Sequence, residues 1–266
     1  MLDATPPDVR PVLVTGGTGT LGRSVVRTLL DAGRTPRVLS RHARTPHVPQ
    51  PVEWVTGDLT SGDGLAEALD GAPTVVHCAT SPRHRHDDID AAARLLLAAR
   101  AAGTEHIVYI SIVGVDRVPF PYYETKLAVE HLVEAGGVPW TIQRATQFHE
   151  LVATFLGAIT LGPLTLVPSG LHDQPVDVRE VAARLVALVE AGPSGRAPDL
   201  GGPQVLGLAE LALQYQAARG RRGVVRSFGL PPGATTTAFR AGAHLTPEHA
   251  DGRVTFAEHL ARRPPR

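Results

Sequence analysis

Short runs of apolar, largely β-branched residues alternate with stretches whose apolar positions recur three and four apart. Val12-Leu13-Val14 is the first run, and behind it Leu21, Val25, Val26, Leu29 and Leu30 keep helical spacing until Ala32-Gly33 stops the helix. The pattern predicts further strands at 36–40, 52–55, 74–78, 106–110 and 140–142. It predicts helices at Leu65–Leu69, over about 88–102, and across Lys126 to Gly136. Strands that alternate with helices make βαβ units, so the fold class is α/β with a doubly wound parallel sheet.

After about Phe148 the rhythm changes. Proline and glycine become frequent, as in Gly162-Pro163, Gly201-Gly202-Pro203 and Pro231-Pro232-Gly233. Two helical patterns stand out there, Val181–Val189 and Leu208–Ala218. The organisation expected is a flexible leader over 1–10, a core over 11–148, and a smaller C-terminal substrate lobe over 149–266, interleaved with the core as one compact unit. Phe155, Leu156, Leu161, Leu164, Leu166 and Val167 give that lobe an apolar cast suited to a hydrophobic ligand.

Charge and cysteine content narrow the function. Lys plus Arg and Asp plus Glu both number 26, a balance that argues against a nucleic-acid or anionic-membrane surface. One cysteine, Cys78, excludes an internal disulfide framework and a multi-Cys zinc site, and its apolar strand makes it a small buried residue. The start lacks the basic segment and apolar run of a signal peptide, and no apolar stretch is long enough to span a bilayer. The expectation is a cytoplasmic monomer or homodimer whose partner is a small molecule.

The strongest local signal is Thr15-Gly16-Gly17-Thr18-Gly19-Thr20-Leu21-Gly22, which follows a strand and opens a helix. Glycines there permit a tight turn, close approach of backbone to a pyrophosphate, and tight packing of helix on strand. The amides of the helix start and the positive end of its dipole then face the phosphates. The second strand ends in Ser40-Arg41-His42, with Arg44 close behind and no acid to hold a ribose 2′-hydroxyl. Arginine accommodates a 2′-phosphate, so NADP(H) is favoured over NAD(H).

Lys126 is the single lysine among twenty-five arginines. Tyr122 stands four residues before it, a spacing that puts both on one helix face. An ammonium beside a phenol favours phenolate and so tunes a general acid toward neutral pH. Tyr123, three residues before Lys126, competes for the same role.

These residues resemble the short-chain dehydrogenase/reductase superfamily, and more closely its atypical branch, the NmrA-like NAD(P)-binding proteins, which include quinone and isoflavone-type reductases. The likeness rests on the glycine cluster, Gly57-Asp58-Leu59-Thr60, Val75-Val76-His77-Cys78-Ala79-Thr80, Tyr122-Tyr123-Glu124-Thr125-Lys126, Pro139 to Phe148, and Gly201-Gly202-Pro203. It implies a Rossmann-type fold in which Asp58 and Leu59 meet the adenine, and Ala79 and Thr80 lie under the adenine ribose and pyrophosphate. It implies Ser111 as the substrate-orienting serine, Tyr122 as proton donor, and Lys126 on the nicotinamide ribose. The asparagine of the family's usual tetrad has no counterpart, because the chain contains none.

Arg144, Gln147, Phe148 and His149 follow the sixth strand, where the resemblance puts residues that face nicotinamide and substrate. His84 and His86 form a His-x-His pair, but arginines flank it and no further ligands are near, so no metal site is assigned. No Gly-x-Ser-x-Gly elbow supports a serine hydrolase. Two function classes remain. One is an NAD(P)H-dependent oxidoreductase that passes hydride to a small hydrophobic carbonyl, quinone or enone. The other is a non-catalytic NADP-binding redox sensor, with an epimerase or dehydratase that keeps its nucleotide bound as a lesser third.

Overall fold

The structure, a computed structural model, describes residues 10–44, 51–80 and 85–262. Its elements run β1 (Val12–Thr15), α1 (Thr20–Asp31), β2 (Pro36–Ser40), β3 (Glu53–Thr56), α2 (Leu65–Leu69), β4 (Thr74–His77), α3 (Arg85–Ala101), β5 (His106–Ile112), α4 (Pro121–Ala135) and β6 (Trp140–Ala145). There follow α5 (His149–Ala158), β7 (Thr160–Leu161), β8 (Leu164–Pro168), β9 (His172–Asp173), α6 (Val178–Ala191), β10 (Gly195–Arg196), β11 (Leu206–Gly207), α7 (Leu208–Ala218), β12 (Val224–Phe228), α8 (Ala234–Arg240), a short 3-10 turn at Pro247–His249, and α9 (Phe256–Arg262).

Seven strands form one sheet in the order β10-β6-β5-β4-β1-β2-β3. The expected doubly wound parallel sheet is therefore present, and β1 to β6 lie where the apolar runs put them. Their reading as unbroken apolar runs follows from burial on both faces: Val12, Leu13, Val14, Val75 and Val76 are all fully buried. The seventh strand, β10, was not expected, because two residues pairing with Thr141 and Ile142 leave no periodic trace.

The chain divides into two units, each drawing on several stretches. The first comprises Met1–Ile110, Thr125–Gln143 and Ala182–Ala197. Its core joins Leu13, Val75, Ile107 and Ile142 of the sheet to Leu69, Leu95 and Val133 of the helices. Arg34 of this unit is buried and pairs with Glu190 at 2.6 Å, while Arg196 reaches the fully buried Glu130 at 3.1 Å and so ties β10 to α4. Residues 1–9 of the expected leader lie outside the described residues.

The second unit comprises Ser111–Glu124, Arg144–Val181 and Pro198–Arg266. β8 pairs parallel with β12 and antiparallel with β7, and β9 pairs antiparallel with β11. Its core gathers Val152, Leu156, Val167, Leu211, Tyr215, Phe256 and Leu260. The apolar residues expected to favour a ligand thus split: Leu156 and Val167 are core, Leu164 is half-buried, and Phe155, Leu161 and Leu166 are exposed. No helix among the described residues is long and apolar enough to cross a membrane.

Candidate nucleotide and substrate sites

In the first unit the strand order reverses at β1, with β2 and β3 on one side and β4 on the other. Open α/β sheets bind ligands outside the carboxyl ends of their strands at such a switch point. β1 ends there at Thr15, and the chain turns through Gly16 at φ 67°. A Cβ on Gly16 would stand 2.7 Å from the Ala79 amide nitrogen, and one on Gly22 would stand 2.1 Å from the Gly16 carbonyl. Both glycines are demanded by the protein's own packing. Gly19 differs, since a Cβ there meets only the Gly16 carbonyl, at 3.2 Å. Beyond that one tight contact the Cβ direction is clear of protein atoms.

Gly19 also caps α1 without a side-chain hydrogen bond, and the first turn contains no acid. The amides of Thr20, Leu21 and Gly22 therefore have no acceptor within the helix, and no carboxylate opposes an anion there. Thr18, Gly19 and Thr20 are exposed. Arg23, one turn on, donates to the Thr18 carbonyl and adds a cation that the sequence reading did not single out.

The other nucleotide candidates ring the same strand ends. Ser40 is buried, its carbonyl accepts the Gly57 amide at 2.9 Å, and its hydroxyl accepts the His42 amide at 3.2 Å. Gly57 leads into Asp58, whose carboxylate accepts the Thr60 amide at 2.8 Å, with Leu59 half-buried beside it. The Ala79 amide reaches the Thr15 hydroxyl at 3.4 Å, and the Thr80 hydroxyl donates to Asp88 at 2.7 Å. Arg41 is exposed at the end of β2. Arg44 is not gathered with these groups: it lines a hollow with Arg37, Glu53 and Asp70, at the opposite ends of β2 and β3.

Lys126 is buried in the same unit. Its Nζ donates to the Ile110 carbonyl at 2.8 Å and lies 4.4 Å from the Tyr109 ring centroid. Burial lowers its pKa to about 8, against the opposing pull of Asp88, Cys78 and Glu130. Tyr109 stacks on His77 at 5.4 Å, and the His77 Nδ1 lies 2.7 Å from the Thr15 hydroxyl. Burial, with the Lys126 ammonium adding to it, holds His77 down to about 3, so that ring stays neutral. A buried Thr15–His77–Tyr109–Lys126 chain thus joins the glycine turn to the lysine. The sequence showed only its two ends, since nothing local marks a strand histidine as a partner of a tyrosine on the next strand. Cys78, expected to be buried, is only half-buried because it follows the end of β4, and desolvation pushes its thiol up to about 12.

In the second unit Ser111 is buried, and its hydroxyl has no hydrogen-bond partner among the described residues. Tyr122 is half-buried at the start of α4. Tyr123 is buried, and its hydroxyl accepts from Gln147 Nε2 at 2.8 Å. Burial, helped by Asp173, raises the Tyr123 pKa, the reverse of the activation expected for a phenol that serves as acid. Phe120, Tyr123 and Phe239 meet edge to face at centroid distances of 5.8 to 6.1 Å and form an aromatic wall. Arg144 is buried and paired with Asp116 at 3.0 Å. Phe148 is half-buried at the cap of α5, and His149 points inward to the Val254 carbonyl at 3.0 Å. Of the His-x-His pair, His84 and the His86 side chain lie outside the described residues.

A doubly wound sheet with a glycine turn at its switch point defines a dinucleotide-binding protein, and comparison with known proteins agrees. Residues 16–191 match the model of the NAD(P)H-binding family, and the chain belongs to that family. Among its relatives is the (4-alkanoyl-5-oxo-2,5-dihydrofuran-3-yl)methyl phosphate reductase of Streptomyces griseus, 32% identical over 216 residues, which cover 79% of this chain and 74% of the relative. Another is the NAD(P)H azoreductase of Xenophilus azovorans, 31% identical over the same length and coverage. The Escherichia coli NADPH-dependent quinone oxidoreductase, solved with NADPH, shares the fold with a TM-score of 0.77 at 19% identity, covering 94% of this chain and 99% of that one. The chain is thus similar to NAD(P)H-dependent oxidoreductases.

Proposed function

We propose that this protein is an NADPH-dependent reductase acting on a small hydrophobic electrophile: a quinone, an enone or another conjugated carbonyl. The observation that carries the reading is Lys126. A lone lysine kept buried, with its pKa pulled to about 8, is a poor structural choice in a chain that otherwise uses arginine. The azoreductase and butenolide phosphate reductase activities named for its relatives support a reducible conjugated substrate.

The glycine turn fits the cofactor, because Gly19 leaves open the volume that its Cβ would fill in front of uncapped amides. In this reading the amides of Thr20, Leu21 and Gly22 hold the pyrophosphate, and Asp58 and Leu59 meet the adenine. Ala79 and Thr80 flank the ribose, Arg41 meets the 2′-phosphate, and Lys126 holds the nicotinamide ribose. NADPH supplies the hydride, while the protein orients the reactants and excludes water. The unpartnered Ser111 hydroxyl and a phenol of α4, Tyr122 or Tyr123, hydrogen-bond the substrate oxygen that gains a proton.

The test is to titrate NADPH and NADH by fluorescence, then follow loss of reduced-nicotinamide absorbance with 1,4-naphthoquinone, a cyclic enone and an azo dye as acceptors. Tighter binding of NADPH and consumption with at least one acceptor are expected. Tight nucleotide binding without turnover of any acceptor would favour the redox-sensor reading.

A further inference from the structure

One acid in the second unit has the geometry of a working group, with only one of its two oxygens given a structural task. Asp173 ends β9, and its backbone is fixed from both sides. On one side His244 Nε2 donates to the His172 carbonyl at 2.9 Å. On the other, the Gln174 side chain is fully engaged: its Nε2 donates to the Gly202 and Thr246 carbonyls at 2.9 and 3.2 Å, and its Oε1 accepts the Thr246 amide at 2.8 Å. One Asp173 oxygen accepts the Gln174 amide at 2.8 Å. The other has no hydrogen-bond or ion-pair partner among the described residues. A side chain held by a rigid frame with one oxygen uncommitted is preorganised to act on something else.

The frame also connects to the aromatic wall. The His244 ring that holds β9 packs edge-on against Phe239 at 4.8 Å. Gly114, at φ 82°, would place a Cβ 2.2 Å from the Ala243 carbonyl, so only glycine lets the loop leading to Phe120 lie against that segment. The Thr235 hydroxyl of α8 donates to the Pro119 carbonyl of the same loop. The Asp173 charge bears on the Tyr123 phenol, whose hydroxyl accepts from Gln147 and keeps its own proton free to donate.

We infer that Asp173 is the acid that protonates the substrate, beside an aromatic wall of Phe120, Tyr123 and Phe239 on which a planar conjugated ring lies. The inference rests on the reductase reading above. In the step, the O–H bond of the Asp173 carboxyl breaks and an O–H bond forms on the substrate carbonyl. The hydride that completes the two-electron reduction comes from NADPH, and the carboxylate takes a proton back from solvent. Tyr123 orients the oxygen rather than giving up its proton, since its environment opposes ionisation.

Desolvation of this half-buried carboxyl, with no cation beside it among the described residues, supports this assignment. It pushes the Asp173 pKa up to about 7, offset only in part by the Gln174 amide. The titratable groups around it are Tyr123 from α4, His172 on its own strand and His244 after α8, and burial keeps His244 neutral. The acid form therefore persists to neutral pH, as a general acid requires.

The test is single-turnover oxidation of bound NADPH by 1,4-naphthoquinone on both sides of neutral pH, with wild type, Asp173→Asn and Tyr123→Phe. Asparagine keeps an oxygen for the Gln174 amide, and unchanged NADPH affinity and circular dichroism would show that the variant folds. Wild-type rates are expected to fall as pH rises through about 7, and Asp173→Asn to lose both that limb and about 10²–10⁴-fold in rate. Tyr123→Phe should lose less and keep the limb. Independently of turnover, an infrared carboxylic-acid band should titrate near the same pH and vanish in Asp173→Asn. An Asp173→Asn variant with wild-type rate and pH profile overturns the inference and leaves the reductase reading intact. A wild-type protein that oxidises NADPH with no quinone, enone or azo dye overturns the reductase reading, and the inference with it.

Discussion

Replacing Lys126 by methionine tests whether the lysine is held against the interest of the fold. In the folded first unit the ammonium pKa falls from 10.5 to about 8, chiefly because burial strips it of water. The displacement corresponds to about 3 kcal/mol by which the fold disfavours the charged form. Below about pH 8 the folded and unfolded chains both hold the proton, and the fold bears that full penalty. As pH rises from about 8 toward 10.5 only the unfolded chain still holds it, so wild-type stability recovers, at up to about 1.4 kcal/mol per pH unit. Methionine has similar bulk and nothing to titrate.

The stability of wild type relative to Lys126→Met should therefore climb by about 3 kcal/mol between neutral pH and 10.5. Urea unfolding followed by tryptophan fluorescence is the assay, because both tryptophans, Trp54 and Trp140, lie in the same unit as Lys126. Charges elsewhere titrate alike in both proteins and cancel in the difference. A difference that stays flat with pH would refute the claim that Lys126 is an ionised group held in a desolvated place. A variant more stable at neutral pH but inactive would show stability given up for the site.

Three further outcomes follow from the same geometry. Gly22→Ala, whose Cβ would stand 2.1 Å from the Gly16 carbonyl, should lose fold and nucleotide binding together, whereas Gly19→Ala, whose Cβ would stand 3.2 Å from that carbonyl, should keep the fold with a small fall in melting temperature and lose NADPH; normal NADPH binding by Gly19→Ala would end the phosphate-cradle reading. Arg41→Ala should weaken NADPH and spare NADH in a calorimetric titration, and equal loss for both would remove the 2′-phosphate assignment. Lys126→Arg should fail in turnover although it keeps the charge, because the larger planar guanidinium must fit between the Ile110 carbonyl and the Tyr109 ring, an overpacking worth about 1–3 kcal/mol; full activity would show that any cation suffices there.

What could be read ahead of the structure was whatever is encoded by neighbours in sequence. The central strands of the main sheet were legible because burial on both faces leaves unbroken runs such as Val12-Leu13-Val14 and Thr74-Val75-Val76-His77, whereas the two-residue edge strand β10 was not. The glycine turn was legible because its geometry excludes side chains at fixed offsets, and the close approaches at Gly16 and Gly22 are that exclusion in ångströms. α5 was not, because it buries Val152 and Leu156 while exposing Leu151 and Phe155, which blurs its period. β8 was not, because its parallel partner β12 comes only after α7 in the chain. The same limit governs the chemistry. Lys126 announced itself by being the only one of its kind, but the Tyr109 and His77 that surround it carry no local mark. Asp173 sits in the unremarkable stretch Leu171-His172-Asp173-Gln174-Pro175; its raised pKa comes from desolvation of a half-buried carboxyl and its frame from Gly202, His244 and Thr246, all from later in the chain. A carboxyl is an acid at neutral pH only by virtue of what the fold removes from around it, and that removal is a tertiary property. The glycine turn was therefore a candidate from sequence alone, whereas the candidacy of Asp173 had to wait for the packing.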